Sequence, residues 1–363
     1  MEILNQNMSV LAWNAGLLLM ALSVALVLVI AIVHWRAERR RRHTLEFDQV
    51  NEPLVMSYLE GHVPQIAVIG SMGGEPSEAM DLLMELSRKL QPTAQSRLLP
   101  IFAGLPGVDQ EVTALESPHA KRRLQAAERL AFLKNESSTE ALLHALGDEV
   151  VAVRYGAARS LAAHGKPETI EPTLKAFDAR HEINWFRLVE IILEYGPAAS
   201  PVLLSMLANP DWSGSGNILH VVIRSLGLLK ERRAVEPLIG MLNHTDIGVR
   251  LNAARALGDI GDPQAIEPVS GLSHDPDWAV RKKAVEAIGK LHAETQMPVL
   301  EEALSDPSWW VRFTAAEALY ALGAHGIDRL KEIRRNTHDI YVHDICSQVL
   351  SEHDVHNQKA NPS

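Results

Sequence analysis

The chain has 363 residues, 47% of them hydrophobic but only 5% aromatic, and a formal net charge of −10. That length and apolar content suffice for a long continuous core, a single cysteine excludes an intramolecular disulfide, and the acidic balance lacks the footprint of a general nucleic-acid binder. Charge is unevenly divided: five arginines against Glu2 and Glu38 give residues 1–43 a net +3, so the remainder carries −13.

Residues 1–10 contain no Lys or Arg, and Leu11 to Val33 then run for 23 residues without a charge. At the helical rise this run spans about 34 Å, enough to cross a hydrocarbon core of about 30 Å. Trp13 and Trp35 stand at its two ends, and Arg36, Arg39, Arg40, Arg41 and Arg42 follow it in the segment 34–43. A secretory signal places its charges before the apolar run, so this order predicts a transmembrane helix. By the positive-inside rule the N-terminus lies outside and the rest of the chain in the cytoplasm, the expected setting being a bacterial inner membrane. The arginines would also attract anionic lipid headgroups, at about 1 kcal/mol each.

Residues 44–91 are less regular. Leu45 to Leu59 and Pro76 to Leu90 read as helices. Between them Ile66 to Gly74 reads as a strand-like run ending in a glycine loop. It lacks the Lys-Ser/Thr of a P-loop and the dinucleotide spacing, and is read as a flexible turn before a helix.

From about residue 92 to 350 the sequence becomes periodic. Arg123, Arg154, Arg187, Arg250, Arg281 and Arg312 recur every 31 to 33 residues, with Leu219 in the register that lacks arginine. Small residues follow at three and four positions, as in Ala253 and Ala254, and an aliphatic at seven, as in Leu257. This spacing puts small and aliphatic side chains on one face of a helix A, where alanine lets a neighbour approach closely. The pattern breaks near Gly258 and Gly261, and Glu267-Pro268, like Glu171-Pro172 and Glu236-Pro237, opens a helix B. Ser117-Pro118, Asn209-Pro210, Asp275-Pro276 and Asp306-Pro307 announce each helix A. A period of this length predicts stacked helical hairpins, an all-α solenoid. Weaker copies flank it at Ser96 to Gly107 and at Val342 to Leu350, where Cys346 fills a small buried position; residues 351–363 form a polar tail.

The residues Asp277-Trp278-Ala279-Val280-Arg281, with Ala284, Ala287 and Ile288-Gly289, resemble a HEAT repeat of the short, phycobilisome-lyase-like type. The resemblance holds in seven registers from Arg123 to Arg312. It implies a right-handed α-solenoid and Asp/Arg ladders that serve structure. The arginines would then pair with carboxylates such as Asp246 and Asp277, four residues before Arg250 and Arg281. Suspicion of binding falls elsewhere. Trp185, Trp278, Trp309 and Trp310 stand two or three residues before the repeat arginine, so they form a row along one edge, and Trp is enriched at binding hot spots. Trp212 precedes an insertion, Ser213-Gly214-Ser215-Gly216, in the register without arginine, which projects as a second candidate contact.

Sixteen histidines invite a metal reading. Deoxyhypusine hydroxylase, a HEAT enzyme, holds two irons through several His-Glu dyads, but here His181-Glu182 is the one dyad and the other histidines share no register. No Ser/His/Asp order or nucleotide fingerprint is visible either, so no metal or cofactor is expected. The expectation is a non-enzymatic, membrane-anchored adaptor that binds a protein partner, possibly itself a membrane protein, and no nucleic acid. The alternative by family likeness is an enzyme-related role, in bilin handling or di-iron oxygenation.

Overall fold

The computed structural model describes residues 2–179, 184–209 and 216–360, with side chains from 19 to 353 apart from 21, 92, 108 and 216. Among the described residues every regular element is a helix. The chain forms two compact units, Met1–Glu111 and Val112–Ser363.

In the first unit, α1 (Glu2–Leu59) runs as one helix of 58 residues and is followed by α2 (Gln65–Met72), α3 (Pro76–Lys89) and α4 (Pro92–Gly104). Phe47, Val55 and Leu59 are buried at helical spacing on one face of the last part of α1. Val68 and Met72 of α2, Met80 and Leu83 of α3, and Ile101 and Phe102 of α4 complete this core. The buried Asn51 amide donates to the Phe47 carbonyl (2.9 Å), and its oxygen accepts from the Ser71 hydroxyl (2.7 Å). The run Ile66 to Gly70, expected to be strand-like, is helix α2. Val68 and Met72 lie four apart and bury one helical face, whereas a strand there would find no partner to pair with. The array was expected from residue 92, but α4 packs on α2 and α3 within the first unit.

The described side chains in the apolar part of α1, from Leu19 to Val33, are exposed. Leu19, Leu22, Leu26 to Ile30, Ile32 and Val33 are all exposed, as is Trp35. Trp13 and residues 11–18 lie outside the described side chains. Among the described residues no single helix is long and apolar enough to cross a membrane. A bent pair, Trp185–Glu194 with Gly196–Ala208, passes by length and composition, but its Leu188, Ile192, Leu203 and Leu207 are buried core.

The second unit is the predicted hairpin array. A short helix α5 (Val108–Ala114) spans the division between the units. The A helices are α6 (Ala120–Leu130), α8 (Val151–His164), α10 (Trp185–Glu194), α12 (Gly216–Leu228), α14 (Ile247–Ile260), α16 (Trp278–Lys290), α18 (Trp309–Ala321) and α20 (Ile340–Ala360). Between them run the shorter B helices α7 (Glu136–Ala145), α9 (Ile170–Asp178), α11 (Ser200–Ala208), α13 (Val235–Met241), α15 (Ile266–Gly271), α17 (Met297–Ala303) and α19 (Ala324–Asn336).

Successive A helices pack directly on one another. Ala253, Ala254 and Leu257, and likewise Ala315, Ala316 and Leu319, are buried as the spacing required. Closest approach falls on a second set of small residues, also 31 apart. A Cβ placed on Gly227 would lie 2.7 Å from the Ala256 Cα, one on Gly258 3.0 Å from the Ala287 Cα, and one on Gly289 3.1 Å from the Ala318 Cα. Gly258, expected near a helix end, is therefore a contact inside α14, while Gly261 at φ 77° is the left-handed cap that ends it.

This geometry sets opposite signs for two glycine substitutions. Gly227→Ala should cost about 1–3 kcal/mol through overpacking, despite alanine's better helix propensity. Gly240→Ala in α13, where a Cβ meets nothing within 4 Å, should stabilise by about 0.5–1 kcal/mol. Chemical denaturation of the two variants beside the parent protein checks both signs.

Candidate functional site: an ionic ladder and an apolar edge

The repeat arginines do not pair with the carboxylates four residues before them. Asp246 and Asp277 instead cap α14 and α16, accepting from the Val249 and Ala279 N–H groups at 3.1 and 2.8 Å. In the β region, a cap side chain folds back on its own helix start and is drawn away from the arginine one turn later. For three of them the partner lies 25 residues further on, in the next repeat. Arg123 grips Asp148 through Nε (2.6 Å) and Nη2 (2.9 Å), Arg250 grips Asp275 (2.7 and 3.0 Å), and Arg281 grips Asp306 (2.7 and 3.0 Å). Each pair is bidentate and largely buried, with the Arg281 side chain 15% exposed and Asp306 8%.

The same aspartates hold the turn that precedes the next helix A. Asp148, Asp275 and Asp306 accept from the N–H two residues on, at Val150, Asp277 and Ser308. Helices α16 and α18 accordingly begin at Trp278 and Trp309, three residues after the Asp-Pro steps that were read as their caps. The arginine Nη1 donates back to this turn: Arg154 to the Asp148 carbonyl, Arg281 to Asp275 and Arg312 to Asp306, each at 2.8 Å. Burial alone would raise the Asp306 carboxyl, but the bonds from Arg281 and the Ser308 N–H outweigh it and hold it below the usual carboxylate range. Asp148 and Asp275 are lowered in the same way.

Four registers depart from the ladder, with Ala179, Trp212, His244 and Thr337 standing where the aspartate would be. Arg187 is exposed and lies over the Tyr155 ring, 4.5 Å from its centroid. At Leu219 the arginine is absent, and the residue 25 further on is His244, whose Nδ1 takes over the turn bond from the Asp246 N–H (3.0 Å). There α12, α14 and α16 are tied differently. Asp259 of α14 accepts from Arg224 of α12 and from Lys290 of α16, the latter at 2.8 Å. Sequence reading missed this link because Asp259 has no acidic counterpart 31 residues on, where Lys290 stands.

The tryptophan row proves to be part of a longer one. Val151, Trp185, Gly216, Ile247, Trp278, Trp309 and Ile340 are each the first residue of a helix A, and the last five are 31 apart. Ile247, Trp278, Trp309 and Ile340 are between 40 and 66% exposed. Phe186, Trp310 and Tyr341, one residue further on, are exposed as well. Trp185 is half-buried and stacked on Phe186; Trp309 stacks on Phe313 and meets Trp310 edge-on; Lys282 stands over Trp310. The signal was available in the sequence: the same register holds Val151, Ile247 and Ile340, which a search for tryptophan alone passes over. Trp212, Ser213, Gly214 and Ser215 lie outside the described residues, and Gly216 opens α12.

Groups suited to chemistry are few. Burial pushes the Cys346 thiol up to about 11, so thiolate is scarce at neutral pH. The His181-Glu182 dyad lies outside the described residues. Among the described residues one group of metal-ligand types converges, His43 with Glu75 and Glu78 in the first unit, where His43 Nε2 is 3.5 Å from Glu75 Oε2. Pairing His43 with the start of α3 required the tertiary fold. A cleft of about 460 Å³ between neighbouring repeats is lined by His274, Glu302 and Ser305, and its strongest charges, Arg281 and Asp306, already satisfy each other.

Stacked hairpins registered by a cross-repeat ladder define an α-solenoid repeat protein. The family model described as HEAT repeats matches residues 110–183, 200–271 and 268–351, more than half of the chain, and the chain belongs to that family. Among solved structures it is similar to Escherichia coli YibA (19% identity, 67% of this chain and 92% of that chain, TM-score 0.38). It is also similar to the CpcE–CpcF complex of phycocyanin lyase from Nostoc sp. PCC7120 (18%, 67% and 94%, TM-score 0.32). Human deoxyhypusine hydroxylase in complex with glycerol is a third (22%, 78% and 98%, TM-score 0.29). At these identities and TM-scores none of the likenesses carries an argument about function. No curated protein matches the chain.

The ladder makes stability pH-dependent with a definite sign. Because the carboxyls of Asp148, Asp275 and Asp306 are lowered on folding, their contribution is complete above the ordinary Asp value, about 3.9, and is lost as pH falls through the lowered folded values. The thermal midpoint should therefore be flat above about pH 5 and fall below about pH 4, with a shallower fall in Asp306→Asn. Arg281→Ala strands a buried carboxylate and should cost about 3 kcal/mol, read as faster amide exchange through α16 and α18.

Proposed function

We propose that this HEAT protein is a non-enzymatic scaffold, anchored in a membrane by the apolar part of α1, whose helix-A edge docks a protein partner at the cytoplasmic face. The observation that carries the docking reading is the row of exposed apolar side chains from Ile247 to Ile340. Single exposed hydrophobics are ordinary, but a row repeated at the first residue of successive helices, rich in Trp, has the composition of a hot-spot surface. Anchoring is supported by the unbroken exposure of Leu26 to Ile30 on a helix that runs on through the arginine cluster. Arg39 lies 5.5 Å from the Trp35 ring, which suits a belt of aromatic and basic groups at an interface. In this reading the N-terminus is outside, Trp13 and Trp35 mark the two interfaces, Arg36 to Arg42 meet anionic headgroups, and the array is a right-handed superhelix in the cytoplasm.

The two halves of the proposal are tested separately. The full chain should stay with the membrane fraction through alkaline carbonate, and a variant lacking residues 1–33 should be released; release of the full chain would overturn the anchor. The triple variant Trp278→Ser, Trp309→Ser, Trp310→Ser should keep its thermal midpoint within a few degrees yet lose roughly a hundredfold or more in partner affinity, since each hot-spot aromatic is worth about 2 kcal/mol. Unchanged affinity in that variant would remove the edge as the docking surface.

A further inference from the structure

At its last arginine the ladder lacks its carboxylate beside exposed apolar side chains. In the registers of Arg123, Arg250 and Arg281 the guanidinium fork is closed by Asp148, Asp275 and Asp306, and each aspartate also caps its turn. Arg312 keeps the arginine half of this arrangement: its Nη1 donates to the Asp306 and Pro307 carbonyls, as Arg281 does to Asp275 and Pro276. The residue 25 positions further on, however, is Thr337. Its hydroxyl preserves the turn bond, accepting from the Asp339 N–H at 3.1 Å, but it brings no carboxylate. Arg312 Nε is shielded from solvent and has no hydrogen-bond partner. The aspartate is also replaced at His244, where the arginine is missing with it at Leu219, and at Ala179 and Trp212, 25 residues after Arg154 and after Arg187, which lies over the Tyr155 ring. What sets Arg312 apart is its setting: its fork stands beside side chains that are themselves exposed and apolar.

The surroundings of this fork are those of the docking edge. Tyr341 lies with its ring 5.5 Å from the Arg312 guanidinium, and Ile340, Tyr341 and Trp310 are all more than half exposed. We infer that Arg312 is the carboxylate-recognition point of the apolar edge, and that the partner segment docking there presents an Asp or Glu side chain flanked by apolar residues. The carboxylate takes the bidentate position that Asp306 takes on Arg281, relieving an unmet buried donor, while the apolar neighbours lie on Tyr341, Ile340 and Trp310. Charge and shape are already specified, because the fold builds the same receptor three times with its ligand in place. This inference rests on the edge being the docking surface.

The test is a selection of displayed random dodecapeptides on the detergent-purified full chain, repeated on Thr337→Asp, which supplies the missing carboxylate from the chain itself, and on Arg312→Gln. The parent should enrich apolar peptides with an acid at one fixed position. A synthetic copy of the best peptide should bind roughly tenfold to a hundredfold less tightly when that acid becomes its amide. Thr337→Asp and Arg312→Gln should still select apolar peptides, without the acid, and should bind the acidic peptide weaker by the same factor. Apolar peptides with no acid preference in the parent, or an undiminished preference in Thr337→Asp, would overturn the inference and leave the edge standing. Failure of the parent to select any apolar peptide would overturn both.

Discussion

In three turns of the array a single aspartate serves two neighbours. Asp275 accepts the fork of Arg250 from the repeat before it, caps its own turn through the Asp277 N–H, and through its carbonyl receives Arg281 of the repeat it introduces. Arg281 passes the same arrangement on to Asp306. The turn between helix B and the next helix A is thereby held to the helices on both sides, and polar backbone that would otherwise be buried unpaired is satisfied by arginine. Such pairs gain little where water competes, but here both partners are largely buried and bidentate, so the larger effect is the penalty for removing either one. The ladder sets register, and packing between A helices supplies the apolar burial that makes the register worth holding.

The close approach of A helices follows from the same period. Gly227, Gly258 and Gly289 face Ala256, Ala287 and Ala318 of the next helix, so the closest contacts recur 31 residues apart along with the ladder. At Leu219 the ladder is lost, yet α12 and α14 still meet through Gly227 and Ala256 and through Arg224 on Asp259. In an array with nearest-neighbour coupling, one absent rung weakens one interface and leaves the others as they were.

Much of this was legible in the sequence, because a repeat writes the same physics many times. The period, the A and B helices and the buried Ala253, Ala254 and Leu257 follow from spacing, and the HEAT resemblance from the residues that fill it, as in Asp277 to Arg281. Pairings across repeats were not legible in the same way. Asp246 and Asp277 stand at i−4 from an arginine, where a helical ion pair is the local expectation, but both lie outside the helix as caps and their oxygens are committed to backbone N–H groups. The true partners, Asp275 and Asp306, were visible only as helix-start signals, and their second role depends on how one hairpin lies on the next. In the first unit, Ile66 to Gly70 lacks any periodic context, so β-branched residues suggested a strand where the tertiary face of Val68 and Met72 makes a helix. Among the site residues, tryptophans stood out by type, whereas Val151, Ile247 and Ile340 belong to the row by position.

That position links the two features of the array. The first residue of a helix A comes directly after the cap, and the cap comes two residues after the ladder aspartate, as in Asp306, Ser308 and Trp309. A side chain at this point has no preceding turn of its own helix to lie against, which is why large apolar groups there remain exposed. Its place in space is set by a turn fixed from three directions: the arginine fork before it, the N–H it caps and the arginine Nη1 after it. The ladder therefore fixes the edge at Trp278 and Trp309, while at Ile247 and Ile340 the turn is held by His244 and Thr337 without a fork. A partner reading that edge meets side chains at intervals set by the stacking of A helices, so it needs a matching repeat or an extended segment whose own apolar residues fall at the helix–helix distance of about 8–10 Å.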